Sequence, residues 1–323
     1  MKASVHSKYG APDVLSIKDV EKPTPSDDQV LVRVYATTVN RTDCGNLWAK
    51  PFLIRLFLGL FNPRSPITGS DFAGTVEAVG GNVKSFKVGD RIMGFSGLGL
   101  SSHAEYLTVR ETRAVIGIPD NVTFSHAAAC LEGGIYALSS MINKVNPTAG
   151  QRALVNGGTG AIGSAAVQFL KERGVEVTAT CKTSNLELVK SLGASRVIDY
   201  SKDDFTKDDE KYNFIFDTVG KSSFGNCKPL LLPGGTYISA DAGPMWENTY
   251  LPLVTAVIGD KKVLSPIPRD VKKSLSLIQD FIGRGKFKPV IDRAYPLEKI
   301  AEAYEYVASG QKIGNVVITL IAE

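Results

Sequence analysis

The stretch NGGTGAIG, residues 156–163, carries glycines in the pattern GxGxxG. An apolar segment typical of a buried strand precedes it at residues 153–156, and residues 161–173 have helical periodicity. This strand–turn–helix context favours a dinucleotide-binding turn over an ordinary glycine-rich turn, because glycine lets the backbone approach a pyrophosphate and the helix N-terminus offers unpaired N–H groups. The residues expected to contact the cofactor are Gly158, Thr159, Gly160, Ala161, Ile162 and Gly163.

Strands and helices alternate after this turn. Further strands are predicted at residues 175–181, 196–199, 212–216 and 236–240. The alternation predicts an α/β fold with a doubly wound parallel sheet. Ligands bind at the carboxyl edge of such sheets. The residues that follow the fourth strand at this edge are Thr218, Val219 and Gly220.

The end of the second strand indicates which nucleotide is bound. NAD-binding domains usually have an acidic residue there, but the first acid after this strand is Glu187. A cation, two hydroxyls and an amide suit a 2′-phosphate instead, so we expect NADPH (NADP). Two alternatives stay open: Lys182 as a solvated loop lysine, and Ser184 as the N-cap of a capping box with Glu187. The residues expected to bind the phosphate are Lys182, Thr183, Ser184 and Asn185.

The flanking segments predict a second domain. Short β-branched runs at residues 29–35, 74–79 and 90–95, separated by glycine and aspartate turns, suggest a barrel-like antiparallel unit. A closing strand at residues 315–320 could return to this unit's sheet. The expected division is residues 1–122, 123–264 and 265–323.

Composition excludes several classes of function. The net charge of +4 comes with no basic run, so we expect no nucleic-acid partner. The four cysteines form no CxxC pair, which favours a reducing, cytoplasmic location. The most hydrophobic segment, FLIRLFLGLF at residues 52–61, is too short to cross a bilayer, so no integral membrane association is expected. We expect a buried or lid-like helix there, with peripheral membrane contact as the alternative.

Several segments spread along the chain belong to a known pattern: VNRTD at residues 39–43, GSDFAG at 69–74, VGDR at 88–91, FDTVG at 216–220 and PVID at 289–292. With these segments the whole chain resembles the zinc-free quinone oxidoreductase branch of the medium-chain dehydrogenase/reductase family. The resemblance implies a GroES-like β-rich catalytic domain, interrupted by a Rossmann NADP-binding domain, and a homodimer.

The same resemblance allows the zinc-ligand positions of the family to be compared with this chain. Zinc-dependent alcohol dehydrogenases of this family have a cysteine where this chain has Asn40 and a histidine where it has Ser70, and the four-cysteine structural zinc lobe is absent. Asparagine and serine cannot replace a thiolate and an imidazole as zinc ligands. We therefore expect no metal site.

The resemblance also implies roles for individual residues. Asn40 would donate its amide to the acceptor oxygen, with a turn cap as the alternative. Thr42 would pass a proton, and Arg41 would reach the pyrophosphate or remain a surface cation. Tyr136 would lie beside the nicotinamide or pack in the core, and Tyr200 would lie beside the adenosine phosphate or merely end a strand. The expected walls of an apolar substrate pocket are Trp48, Phe52 and Leu56.

These expectations together predict an NADPH-dependent oxidoreductase. Without zinc, the chemistry would be hydride delivery to a quinone or another conjugated carbonyl compound, whose oxygen takes up the developing charge. Two alternatives stay open: an enoyl or alkenal double-bond reductase with the same residues, and a non-catalytic NADPH-binding protein.

Overall fold

The computed structural model describes residues 1–321, which divide into two compact units. Unit 1 contains Met1–Glu132 and the chain from Leu275 onward, and unit 2 contains Gly133–Ser274. The sequence placed these boundaries earlier, at 122 and 264. A helix at Phe124–Ala129 packs on the strands Gln29–Val39 and Asp71–Val79, and for this reason unit 1 continues past residue 122.

The strands are named in chain order. They are β1 (Lys2–Val5), β2 (Ser16–Asp19), β3 (Gln29–Val39), β4 (Asp71–Val79), β5 (Arg91–Phe95), β6 (Tyr106–Arg110), β7 (Val115–Gly117), β8 (Arg152–Asn156), β9 (Glu176–Cys181), β10 (Arg196–Asp199), β11 (Tyr212–Asp217), β12 (Leu231–Ser239), β13 (Lys262–Val263), β14 (Ile291–Pro296) and β15 (Asn315–Thr319).

The helices are named in the same way. They are α1 (Arg41–Trp48), α2 (Arg55–Leu58), α3 (Phe124–Ala129), α4 (Leu131–Ile135), α5 (Asn143–Val145), α6 (Ala161–Glu172), α7 (Leu186–Leu192), α8 (Phe224–Cys227), α9 (Glu247–Val257), α10 (Val271–Gly283) and α11 (Ile300–Ala308), with a π-helical segment at Tyr136–Ile142 between α4 and α5.

Unit 1 is built on a mainly antiparallel sheet. Its strand order is β14-β15-β3-β4-β5-β7, and β6 also pairs with β3. Alternate residues of β3 point into a core with Phe72 and Ile92, as the β-branched pattern predicted. The closing strand returns to this sheet as predicted, because β15 pairs antiparallel with β3, Val316 opposite Val39. The sequence missed β14, which pairs parallel with β15.

Unit 2 is built on a parallel sheet of order β10-β9-β8-β11-β12-β13. Counted within the unit, this is the 3-2-1-4-5-6 order of a doubly wound dinucleotide-binding domain, so the predicted fold class is confirmed. The sequence missed β13, whose two residues are too short to give a pattern. The switch point between β8 and β11 places the ends of these two strands side by side.

Two local predictions were wrong. Helix α3 begins after Thr123, whose hydroxyl accepts the His126 N–H, and not after Ser125. The apolar segment at residues 52–61 is not a buried helix, because it forms only a 3-10 turn and α2, and Phe52 and Phe61 are 65% and 83% exposed. The lid-like form and the peripheral membrane contact stay predictions. Within residues 1–321, every helix falls short of the length and apolarity that a bilayer crossing demands.

Candidate active site

The predicted nucleotide turn joins β8 to α6 in unit 2. Gly157 has φ +89°, which favours glycine, and the N–H of Gly158 donates to the carbonyl oxygen of Thr180 at 2.8 Å. A Cβ on Gly163 would overlap the carbonyl oxygen of Gly157 and would lie 2.8 Å from Thr218 Oγ1. The turn therefore packs directly against the first turn of α6. The N-cap residue of that helix, Gly160, offers no side-chain acceptor to its first N–H groups, and such N–H groups can bind an anionic group.

A buried polar network supports this turn from below. Thr180 Oγ1 donates to Asn156 Oδ1 at 2.7 Å, and Asn156 Nδ2 donates to Asp217 Oδ1 at 3.0 Å. Thr218 Oγ1 donates to the Asn156 carbonyl oxygen at 2.8 Å, and Asp217 accepts the Gly220 N–H at 3.0 Å. The predicted residues Thr218 and Gly220 thus lie beside the glycine turn.

The sequence reasoning missed the role of Asn156 and Asp217 in that network. Both are the last residues of neighbouring parallel strands, β8 and β11, and both are buried. A polar residue that ends an otherwise apolar strand at the carboxyl edge was the signal available. Val219 is 44% exposed, yet its side chain also lies beside the turn, because a Cβ on Gly157 would be 2.4 Å from Val219 Cγ1.

The loop after β9 exposes Lys182, Thr183 and Ser184 to solvent. Thr183 Oγ1 donates to Asp199 Oδ2 at 2.6 Å, so this hydroxyl is already engaged by a carboxylate from β10. The Thr183 hydrogen bond lowers the pKa of Asp199. The capping-box alternative is wrong, because Asn185 occupies the N-cap position of α7 without a side-chain bond.

The remaining predicted residues of unit 2 lie in two places. Tyr200 follows β10, is 53% exposed, and donates its backbone N–H to the Cys181 carbonyl oxygen. Tyr136 begins the π-helical segment and is half-buried. Their roles beside a cofactor stay predictions.

In unit 1, Asn40 is the N-cap of α1 and is only 2% exposed. Its Oδ1 accepts the Asp43 N–H at 3.0 Å, and Asp43 Oδ2 accepts the Asn40 N–H at 3.1 Å, which forms a capping box. Its Nδ2 lies 3.2 Å from Ser70 Oγ and 3.4 Å from Asp71 Oδ2. The amide that was expected to bind the acceptor oxygen is thus engaged inside the protein, and the turn-cap alternative describes the geometry.

Asp71 is the centre of this buried cluster. Its Oδ1 accepts the Thr38 N–H at 2.8 Å, and its carboxylate also accepts the hydroxyls of Thr37 and Thr38. Burial is the largest influence and raises the pKa of Asp71 to about 7, while these donors oppose the shift. Burial, together with the Asp71 and Glu132 charges, also raises the pKa of Asp43.

Thr42 contacts a residue that the sequence reasoning missed. Its Oγ1 donates to Glu132 Oε1 at 2.6 Å, and its backbone N–H donates to the same oxygen at 3.3 Å. Glu132 is only 5% exposed, and burial raises its pKa. The available signal was a lone acid in the apolar stretch AAACLEGGI, residues 127–135, because buried acids are rare unless paired.

The predicted pocket walls lie at the end of α1 and beyond it. Trp48 lines a cavity of about 480 Å³ together with Tyr9, Lys50 and Arg55. Phe52 and Leu56 are more than 60% exposed and do not line this cavity. Arg41, at the start of α1, is exposed, as a cation that meets a ligand or solvent must be.

Two protein families match the chain. The alcohol dehydrogenase GroES-like domain family matches residues 26–120, and the zinc-binding dehydrogenase family matches residues 192–318. The chain is 33% identical to a chloroplast envelope quinone oxidoreductase homolog of Arabidopsis thaliana, over 98% of both chains. It is 32% identical to 2-methylene-furan-3-one reductase of Solanum lycopersicum and 31% identical to the chloroplastic NADPH-dependent alkenal/one oxidoreductase of Arabidopsis thaliana. Each match covers 98% of this chain and 79% of the relative.

Solved structures agree with the fold. The quinone oxidoreductase of Coxiella burnetii superposes with a TM-score of 0.86 at 24% identity, over 99% of both chains, which is a likeness of fold. A mycobacterial protein complexed with NADPH superposes with a TM-score of 0.79 at 25% identity, over 99% of this chain and 100% of the other.

The donor set around Asn40 does not fit the zinc that the second family's description implies. The atom of Asn40 that faces Ser70 is the amide nitrogen, because Oδ1 is held by the Asp43 N–H, and an amide nitrogen does not bind zinc. Across residues 1–321, no group of three or more histidine, cysteine or acidic side chains could hold a metal ion. The side chains around Asn40 therefore do not fit a zinc ion.

Proposed function

Because the chain belongs to the medium-chain dehydrogenase/reductase family, in its quinone oxidoreductase branch, we propose that it transfers a hydride from NADPH to a quinone or another conjugated carbonyl compound. The observation that carries the proposal is the turn between β8 and α6. Side chains at Gly157 and Gly163 would collide with neighbouring protein atoms, and the twelve-residue helix α6 begins at this turn without a side-chain cap. This is the cradle that a nucleotide pyrophosphate needs.

The loop after β9 supports NADPH as the nucleotide. Lys182 and Ser184 are exposed there, and no acid ends β9 itself. The negative charge of Asp199 would repel a 2′-phosphate. Its carboxylate, however, accepts hydrogen bonds from Thr183 Oγ1 and the Ser201 N–H, and Lys202 Nζ lies 3.9 Å from it. Lys182 is therefore the residue on which the preference for a 2′-phosphate depends most.

In the proposed reaction, residues of unit 2 bind the cofactor phosphates and residues of unit 1 supply the proton. The nicotinamide cofactor supplies the hydride when it is bound. The glycine turn and the N-terminus of α6 hold its phosphates, and Arg41 adds a cation. Asn40 holds the start of α1 in place through its capping box, and so positions Thr42, whose hydroxyl delivers the proton that must follow the hydride. Asn40 is thus proposed as a positioning residue.

The second candidate function is reduction of a carbon–carbon double bond conjugated to a carbonyl group. It is favoured by two relatives, the 2-methylene-furan-3-one reductase and the NADPH-dependent alkenal/one oxidoreductase. The same residues serve both reactions, because in each case a hydride is followed by a proton. Only the acceptor differs.

Turnover assays on the purified protein test the proposal. NADPH oxidation would be followed with 9,10-phenanthrenequinone and with a panel of alkenals, and NADPH and NADH binding would be titrated separately. We expect turnover with at least one acceptor class. Tight NADPH binding without turnover of any acceptor would instead identify a non-catalytic NADPH-binding protein, and absence of binding would refute the proposal.

The variant Lys182→Asp tests the cofactor preference. A carboxylate there would repel a 2′-phosphate and accept hydrogen bonds from ribose hydroxyls, so we expect Kd for NADPH to rise at least tenfold while Kd for NADH changes little. Lys211→Asp, in the loop before β11, is the matched control and should leave both values unchanged. Equal losses for both nucleotides in Lys182→Asp would contradict the assignment.

We further propose a homodimer in the cytoplasm. The end strand β13 leaves one edge of the unit 2 sheet without a neighbouring strand among residues 1–321, and such edges pair readily with a second copy. The four cysteines are free and buried, which suits a reducing compartment. Light scattering of the purified protein should give twice the mass of one chain, and a single-chain mass would refute the dimer.

A further inference from the structure

Glu132 holds a position that the proposed reaction does not yet use. It lies in the first turn of α4, is almost fully buried, and accepts the Thr42 hydroxyl at 2.6 Å. Thr42 itself lies in the first turn of α1 and is half-buried. A short bond between a hydroxyl and a carboxyl group is the geometry along which a proton can pass.

The charges around Glu132 are of both signs. Burial is the largest influence and raises its pKa, while the Thr42 hydrogen bonds and two cations oppose the rise. The nearby carboxylates of Asp43 and Asp71 have raised pKa values themselves. The charged and titratable groups that face Glu132 are Arg41, Asp43 and Cys44 on α1, Asp71 on β4, and Lys312 in the loop before β15.

Lys312 is the cation that faces Glu132 from the loop before β15. Its Nζ donates to the Gly314 carbonyl oxygen. Burial lowers the pKa of Lys312, and the charges of Glu132 and Asp292 oppose that fall. A cation fixed at this point stabilises the carboxylate that remains when Glu132 gives up a proton. Lys312 pairs with Glu132 when that carboxyl group is ionised. When Glu132 is protonated, Lys312 keeps the Gly314 carbonyl oxygen and the nearby Asp292 charge.

We propose that Glu132 stores the proton that Thr42 delivers to the reduced acceptor. After the acceptor has received the hydride, its negatively charged atom takes the proton from Thr42 Oγ1. For this step the protonated Glu132 donates its O–H to Thr42 Oγ1, and the Thr42 hydroxyl turns its own hydrogen toward the acceptor. The Thr42 O–H bond then breaks as Oγ1 takes the Glu132 proton, which leaves a carboxylate. A proton from solvent then restores Glu132, so that one hydride and one solvent proton are consumed in each turnover.

This inference rests on the proposed function, and Glu132 acts in it through Thr42 as a positioning and proton-supplying residue. The competing explanation is structural: Glu132 also accepts the Thr42 backbone N–H, one of the unpaired donors at the start of α1. The two explanations differ in what a glutamine would do. Glutamine keeps an oxygen that accepts both Thr42 bonds but holds no transferable proton.

The test compares the pH dependence of kcat in the wild type and in Glu132→Gln. Because Glu132 must be protonated to act, wild-type kcat should fall as pH rises through its raised pKa. In Glu132→Gln we expect kcat to be lowered about a hundredfold and this pH-dependent fall to be lost. Tm, Kd for NADPH and KM for the acceptor should change little, and Thr42→Val should lower kcat similarly, with no further loss in the double variant.

Glu111→Gln is the matched control. Glu111 also accepts two backbone N–H groups, those of Lys84 and Ser85, but lies away from α1. It should leave kcat and its pH profile unchanged. Thr42→Ser, which keeps the hydroxyl, should retain most of the activity.

Each remaining outcome overturns a specific claim. A Glu132→Gln enzyme with wild-type kcat and an unchanged pH profile would refute the proton store. A loss of kcat that comes with lowered Tm and weaker NADPH binding, while the pH profile is kept, would assign Glu132 a structural role only. A wild type that turns over no acceptor would refute the proposed function itself, and the infrared carboxyl band that differs between wild type and Glu132→Gln would still report whether Glu132 holds a proton.

Discussion

Single residues decide how closely the backbone packs at the nucleotide turn. Gly163 lies against the carbonyl oxygen of Gly157, whereas a Cβ on Gly160 would find its nearest atom, the Gly157 oxygen, only at 3.7 Å. The two glycines belong to the same sequence pattern, yet only one of them is required by packing in the protein alone. The sequence shows glycine at both positions and does not distinguish them, because the crowding at Gly163 depends on how the turn folds back on α6 and on where Thr218 is placed.

Gly163→Ala should therefore destabilise the protein. The added methyl group must displace the Gly157 backbone or the Thr218 side chain, and overpacking of this kind costs about 1–3 kcal/mol. Urea unfolding without nucleotide would measure the change.

Gly160→Ala is the control at the same turn. Its Cβ has room, and only the weaker N-cap preference of alanine counts against it, at less than about 1 kcal/mol. Equal destabilisation by the two variants would contradict the packing argument.

At the scale of elements, periodicity predicted most of the two sheets. Strands β8, β9, β10 and β11 lie within a residue or two of the predicted positions, because parallel strands buried on both faces read as apolar runs. The segment at residues 52–61 is also an apolar run, but it is exposed. An apolar run is buried only where another part of the chain packs over it, and the sequence pattern does not show whether that happens. Strand β14, with a mixed and largely exposed sequence, gave no pattern to find.

Side-chain contacts between distant segments could be predicted least. The position of Thr42 was read from the family resemblance, but its partner Glu132 is ninety residues away along the chain. Likewise, the capping box explains the local surroundings of Asn40, whereas its contact with Ser70 depends on how β3 and β4 pair. Such contacts follow from the tertiary fold and not from spacing in the sequence.

Strand β15 offers a test of the sheet of unit 1. Ile318 is fully buried, and it lies between β14 and β3. We expect Ile318→Ala to lower the free energy of unfolding by about 2–5 kcal/mol and Ile318→Val by about 0.5–1.5 kcal/mol.

Val88→Ala is the control for this series, because Val88 is 62% exposed and should change stability by less than about 0.5 kcal/mol. Urea unfolding followed by circular dichroism would measure all three variants. An Ile318→Ala variant as stable as the wild type would mean that β15 is not integrated into the sheet.

At the scale of the whole molecule, the buried carboxyl groups of unit 1 link stability to pH. Burial raises the pKa of Asp71 to about 7, against a usual value of 3.8 that applies when the chain is unfolded. The folded protein therefore holds a proton that the unfolded chain releases. The contribution of protonated Asp71 to the free energy of unfolding is therefore complete below about pH 4, and it is lost as pH rises toward 7.

Asp71→Asn should remove this dependence. Between pH 4 and 7, the free energy of unfolding of the wild type should fall relative to that of the variant, by at most about 1.4 kcal/mol per pH unit. Glu111→Gln is the control, because backbone hydrogen bonds lower the pKa of Glu111 and its removal should not alter the slope above pH 5. Parallel wild-type and Asp71→Asn curves would show that Asp71 is already ionised throughout this range.

The return of β15 to the sheet of unit 1 has a consequence for biosynthesis. The ribosome makes β3 early, but its partner β15 appears only after all of residues 133–274 have been translated. At usual elongation rates the nascent N-terminal segment waits roughly 10–40 seconds for that strand. Unit 2 is contiguous in the chain and can complete its own sheet during this delay. We therefore expect unit 2 to finish folding before unit 1, although the first residues of unit 1 leave the ribosome earlier.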